Sequence, residues 1–94
     1  MMMMNQYTAE QPLHGQVVDV AGDAVADATV FVTSAPEPVP DIAAISDADG
    51  RFAFDSLPAG AYRIKAIGPD GGAGESEATL PGPRCVIRLD PAWR

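Results

Sequence analysis

Ninety-four residues, 47% of them apolar and 20% charged, have the composition of one small globular domain with room for a single thin core, not of a disordered chain or a membrane span. A formal charge of −7, from 13 acidic against 6 basic side chains, repels phosphate backbones over most of the surface and argues against nucleic acid as a partner. The single cysteine, Cys85, excludes an intramolecular disulfide and fits a reducing compartment.

The chain opens with Met1 to Met4, Asn5 and Gln6, which supply neither a basic n-region nor an apolar h-region. No segment approaches the run of about 18 apolar residues that a membrane helix needs. The expectation is a cytoplasmic protein without membrane contact, with a tail over 1–13 ahead of one domain over 14–94. From His14 onward short alternating runs are separated by Gly, Pro and Asp, the pattern of an all-β sandwich.

The runs 15–20 and 28–33 read as the first two strands, divided by a small-residue turn at Ala21, Gly22 and Asp23. Pro36, Pro38 and Pro40 make 34–41 an extended loop, because proline lacks the N–H a central strand donates. The run 42–46 resumes a strand, and Asp47, Ala48, Asp49 and Gly50 form a turn in which Asp47 bonds the backbone two residues on. Strand 51–54 follows, then a loop over 55–60 whose Leu57 dips inward, then strand 61–67. In that strand Tyr62, Ile64 and Ala66 share the inner face, while Arg63, Lys65 and Ile67 share the outer one. A glycine-rich turn over 68–74, a polar run over 75–80 and a last strand over 85–89 complete seven strands. The expected core is Val17, Ala28, Val30, Val32, Phe52, Phe54, Leu57, Tyr62, Ile64, Ala66, Ile87 and Leu89, with Cys85 as an inert buried thiol. The architecture expected from these elements is a seven-stranded antiparallel Greek-key β-sandwich.

Three stretches carry a resemblance. His14 to Ala28 is similar to the opening Gly-x-Val-x-Asp-x-x-Gly-x-Pro-Leu-x-Gly-Ala of carboxypeptidase regulatory-like domains, which are transthyretin-like, immunoglobulin-like sandwiches. Ser46 to Phe54 resembles their Thr-Asp-x-x-Gly-x-Phe-x-Phe, and Leu57 to Tyr62 their Leu-Pro-x-Gly-x-Tyr, both without gaps. Ala24 and Val25 stand where the pattern has Pro-Leu, and Asp27 where it has Gly. The resemblance implies a non-catalytic folding, spacing or interaction module without a cofactor, here a protein-binding adaptor or a component of a larger assembly such as a secretion or spike complex.

Chemistry-bearing residues are few. His14 is the only histidine, so a catalytic triad or a multi-histidine metal site would have to be built on it alone. Hydroxyisourate hydrolases share the fold class and a histidine on the first strand, but their C-terminal Tyr-Arg-Gly-Ser has no counterpart in Leu89 to Arg94. Asp47 and Asp49 before Gly50 begin like a calcium loop, yet the twelfth position is Pro58 rather than glutamate, so no metal is expected. Lys65, the only lysine, sits on an outer face, unlike the buried first-strand lysine of isopeptide-forming adhesin domains. Alternation turns Val18, Phe31, Ile67 and Val86 away from the core. If these cluster, Phe31 and Trp93 serve as aromatic anchors for a protein partner, with Arg63 and Lys65 beside them. The alternative occupant is a carbohydrate, for which Trp93, Phe31 and Tyr7 would be the platform.

Overall fold

The computed structural model describes residues 10–36, 38 and 43–91. These form seven strands: β1 (Glu10–Val18), β2 (Thr29–Ser34), β3 (Ala43–Ile45), β4 (Arg51–Pro58), β5 (Gly60–Ile67), β6 (Ala73–Leu80) and β7 (Cys85–Arg88). A three-stranded sheet in the order β4-β1-β7 faces a four-stranded sheet in the order β3-β2-β5-β6. The chain crosses between the layers after β1, so the first two strands are not a hairpin.

The seven-strand β-sandwich is as expected, but the expectation that it is antiparallel throughout is corrected by the three-stranded sheet, which is mixed. β1 runs antiparallel to β4 but parallel to β7, Gly15 lying beside Cys85 and Val18 beside Arg88. A parallel pair needs a crossover instead of a hairpin. Here the route out through the second sheet and back past Pro81 to Arg84 supplies it.

Two segments read separately as a tail and a loop prove to be partners. β1 begins at Glu10, where Gln11 pairs with Leu57 and Leu13 with Phe54, so β4 continues through the stretch read as a loop over 55–58. Leu13 is fully buried, and burying a leucine side chain contributes about 1.5–3 kcal/mol. That is enough to order a strand start that looks featureless alone.

The core contains the expected inward residues and the expected buried Cys85, together with Leu13, Val18, Ala78 and Leu80. Val32 is the exception, half-buried next to an irregularity in the β2–β5 register. Val18, expected to face solvent, is 9% exposed, because the chain after β1 folds back and Ala24 bridges to it while Arg88 flanks its other side. Phe52 and Phe54 meet edge to face at 6.1 Å between centroids, a geometry that the ring quadrupoles favour. A Cβ on Gly15 would lie 2.2 Å from the Phe52 ring and 2.6 Å from the Cys85 carbonyl, so the first strand can carry only glycine there.

Buried polar chemistry fixes the junction between the layers. Ser46, 2% exposed, donates its hydroxyl to the Val25 carbonyl at 2.7 Å and accepts the Ala28 N–H at 2.9 Å. Its backbone joins the same turn, accepting from Asp27 and donating to the Ala28 carbonyl. Asp27, at the position where the family pattern carries glycine, adopts φ 64°, a left-handed conformation that aspartate tolerates better than most residues. The Leu-Pro-Ala-Gly-Ala-Tyr stretch has an equally local account: Leu57 and Tyr62 are buried, and the Tyr62 hydroxyl donates back to the Pro58 carbonyl.

Candidate functional site

The outer face of the four-stranded sheet gathers three of the four residues that the sequence marks as contacts. Register places Phe31 beside Lys65, with Ala43 on the other side of Phe31 and Glu75 on the other side of Lys65. The next row runs Ile45, Thr29, Ile67, Ala73. Neighbouring strands are about 4.8 Å apart, so Ile45, Phe31 and Ile67 form one apolar area, with Ile45 59% and Ile67 38% exposed.

Beyond Lys65 the same face turns polar. Arg63 reaches Glu77 at 2.7 Å and Glu75 at 3.8 Å, and the Thr33 hydroxyl lies 3.1 Å from the Glu75 carboxylate. The Arg63 charge is therefore matched inside the molecule, whereas Lys65 is half-buried between the apolar area and the acids. Exposed pairs of this kind stabilise a fold by about 0–1 kcal/mol, so their main consequence is where charge sits. Trp93 and Tyr7 lie outside the described residues, as does half of the stretch 34–41 read as an extended loop.

Ile45 was not marked by the sequence. A three-residue strand offers no period from which to tell in from out, and its neighbours Ala43 and Ala44 are too small to help. The pairing with Thr29, visible only in three dimensions, is what brings Ile45 to Ile67.

The remaining candidates are dispersed. His14 is exposed on the outer face of β1, paired with Ala53. Cys85 is buried, and burial pushes its thiol up while a hydrogen bond with Ser76 pulls the other way. Asp47 bonds its own turn, its Oδ1 accepting the N–H groups of Asp49 and Arg51 at 2.9 Å each. Among the described residues no group of three or more His, Cys, Asp or Glu side chains is arranged to hold a metal ion.

A model of the carboxypeptidase regulatory-like domain matches residues 12–83. Among solved structures, the chain is similar to a crystal structure of a DUF3823 family protein from Parabacteroides merdae, with a TM-score of 0.64 and 20% identity. The match covers 87% of this chain and 46% of that one, so the chain spans less than half the length of that neighbour. At this identity the likeness concerns the fold alone. No curated protein matches the chain.

Proposed function

The chain belongs to the carboxypeptidase regulatory-like domain family, and from that premise we propose that it is a non-catalytic interaction module whose contact surface is the outer face of the four-stranded sheet. The partner is a protein, and the chain serves it as an adaptor or as one component of a larger assembly. One observation carries this reading: Ile45, Phe31 and Ile67 occupy adjacent cross-strand rows on a face that no other described element covers. An apolar area rimmed by charge, here Lys65 and the Arg63–Glu77 pair, is the usual layout of a protein contact.

A photo-crosslinking residue at position 67, introduced in the native host, tests the reading. A covalent adduct to a second protein is expected, lost when Ile45→Glu is added and not formed from position 59, which is also exposed. An adduct insensitive to Ile45→Glu, or none at position 67, would refute it.

A further inference from the structure

The opposite surface of the sandwich has a different chemistry. On the outer face of the three-stranded sheet, Arg51 of β4, Gln16 of β1 and Val86 of β7 stand in one row. Arg88 is two residues further along β7, and Arg84 immediately precedes that strand. All three arginines are exposed. Among the described residues the ion pairs are those of Arg63 with Glu75 and Glu77, so Arg51, Arg84 and Arg88 have no carboxylate within pairing distance. Three of the six basic side chains of a chain with net charge −7 thus share one face with no carboxylate of the described residues paired to them.

Shallow relief accompanies the charge. His14 lies between two depressions, one of about 460 Å³ that runs from Arg51 and Ala53 across the sandwich edge to Ala43 and Ile45 of β3, the other of about 240 Å³ bordered by Pro12, Pro83 and Arg84. Acids at the rim of this face belong to turns: Asp47 Oδ1 accepts the N–H groups of Asp49 and Arg51, Asp19 Oδ1 those of Ala21 and Asp23, and the Asp49 carbonyl accepts from the Gln16 amide.

We propose that this face docks an extended acidic segment of a protein partner, a contact carried by arginines rather than by the apolar residues of the other sheet. The spacing fits. Arg84, just before β7, and Arg88 at its end are four residues apart, about 13 Å of extended chain, and Arg51 is two strands away, about 10 Å. An extended segment with acidic side chains at alternate positions repeats its same-side carboxylates every 6–7 Å or so, which lets the first and third meet Arg84 and Arg88. Guanidinium groups bind carboxylates through two parallel hydrogen bonds. A long polyanion fits less well, because it would run on into the field of the remaining acidic surface.

Fluorescence anisotropy with a labelled peptide of alternating glutamate and threonine tests this on the intact chain. The peptide should bind at low ionic strength and weaken as salt is raised, while its glutamine counterpart should not bind. The combined Arg51→Ser, Arg84→Ser, Arg88→Ser variant should lose affinity by about tenfold or more, three exposed pairs being removed, with an unchanged far-ultraviolet spectrum. Ala59→Asp, at the turn between β4 and β5, lowers the net charge by the same unit as one Arg→Ser change and should bind as the unaltered chain does. Amide shifts on titration, expected at His14, Gln16 and Val86, read the same contact without any substitution. Equal loss with Ala59→Asp, tighter binding of single-stranded DNA of equal charge, or self-association abolished by the triple variant would each overturn the proposal.

Discussion

The turn that closes β1 and the turn that opens β4 are built from the same hydrogen bonds and differ in what surrounds them. In the first, Asp19 Oδ1 accepts the N–H groups of Ala21 and Asp23, Asp19 N–H bonds to the Asp23 carbonyl, and Gly22 N–H to the Asp19 carbonyl. In the second, Asp47, Asp49, Gly50 and Arg51 repeat every one of these bonds. The fourth residue is glycine in both, at φ 89° for Gly22 and 75° for Gly50. A Cβ on Gly22 would meet nothing within 4 Å, whereas one on Gly50 would lie 2.5 Å from the Val17 carbonyl oxygen. Local bonding therefore specifies the turn, and contact with β1 decides how replaceable its glycine is.

The largest expected effect comes from Gly50→Ala. Left-handed φ costs a non-glycine residue about 1–2 kcal/mol. The collision then disturbs Val17, whose N–H donates to the Gly50 carbonyl at 2.7 Å and whose carbonyl accepts from Val25. A loss of about 3–4 kcal/mol is expected, lowering the melting temperature by about 15 °C or more for a domain of this size. Thermal unfolding followed by circular dichroism measures it. A drop no larger than that of Gly22→Ala would break the contrast between the turns.

Ser46→Ala sharpens the contrast from the residue next to the second turn. Its hydroxyl has two buried backbone partners, and an alanine leaves the Val25 carbonyl and the Ala28 N–H without them. Unmet buried polar groups cost about 1–3 kcal/mol each, and water reaching the partly buried Val25 carbonyl lowers the total, so a loss of about 2–3 kcal/mol is expected in urea unfolding. A change below about 0.5 kcal/mol would mean that the junction is held by the Ser46 backbone alone.

These turns also mark what was legible in the sequence. Asp47 bonding two residues on, the inward Phe52 and Phe54, and the alternation of Arg63, Ile64 and Lys65 all follow from period and turn chemistry within a few residues. The parallel entry of β7 beside β1 and the pairing of Gln11 with Leu57 join distant segments, and alternation says nothing of which strands are neighbours. The candidate surface divides in the same way. Phe31 and Lys65 were readable as outward residues, but Ile45 joins them, and Arg51 joins Arg84 and Arg88, only through pairing across the sheets.

Gly22→Ala should have the smallest effect, about 1 kcal/mol, because only the backbone conformation opposes the methyl group and part of that cost is offset by a less flexible unfolded chain. Cys85 provides a sensitive gauge. Its thiol is 5% exposed and burial pushes its ionisation up, so a thiolate-seeking reagent modifies it when the sandwich opens. A loss of 1 kcal/mol raises the open population about fivefold, and labelling under conditions of rapid reclosing should accelerate by that factor. Gly50→Ala should accelerate the same labelling by a hundredfold or more, roughly the factor implied by its larger loss. Equal acceleration in the two variants would show that the turn after β1 is as tightly tied to the core as the turn before β4, in spite of the open space around Gly22.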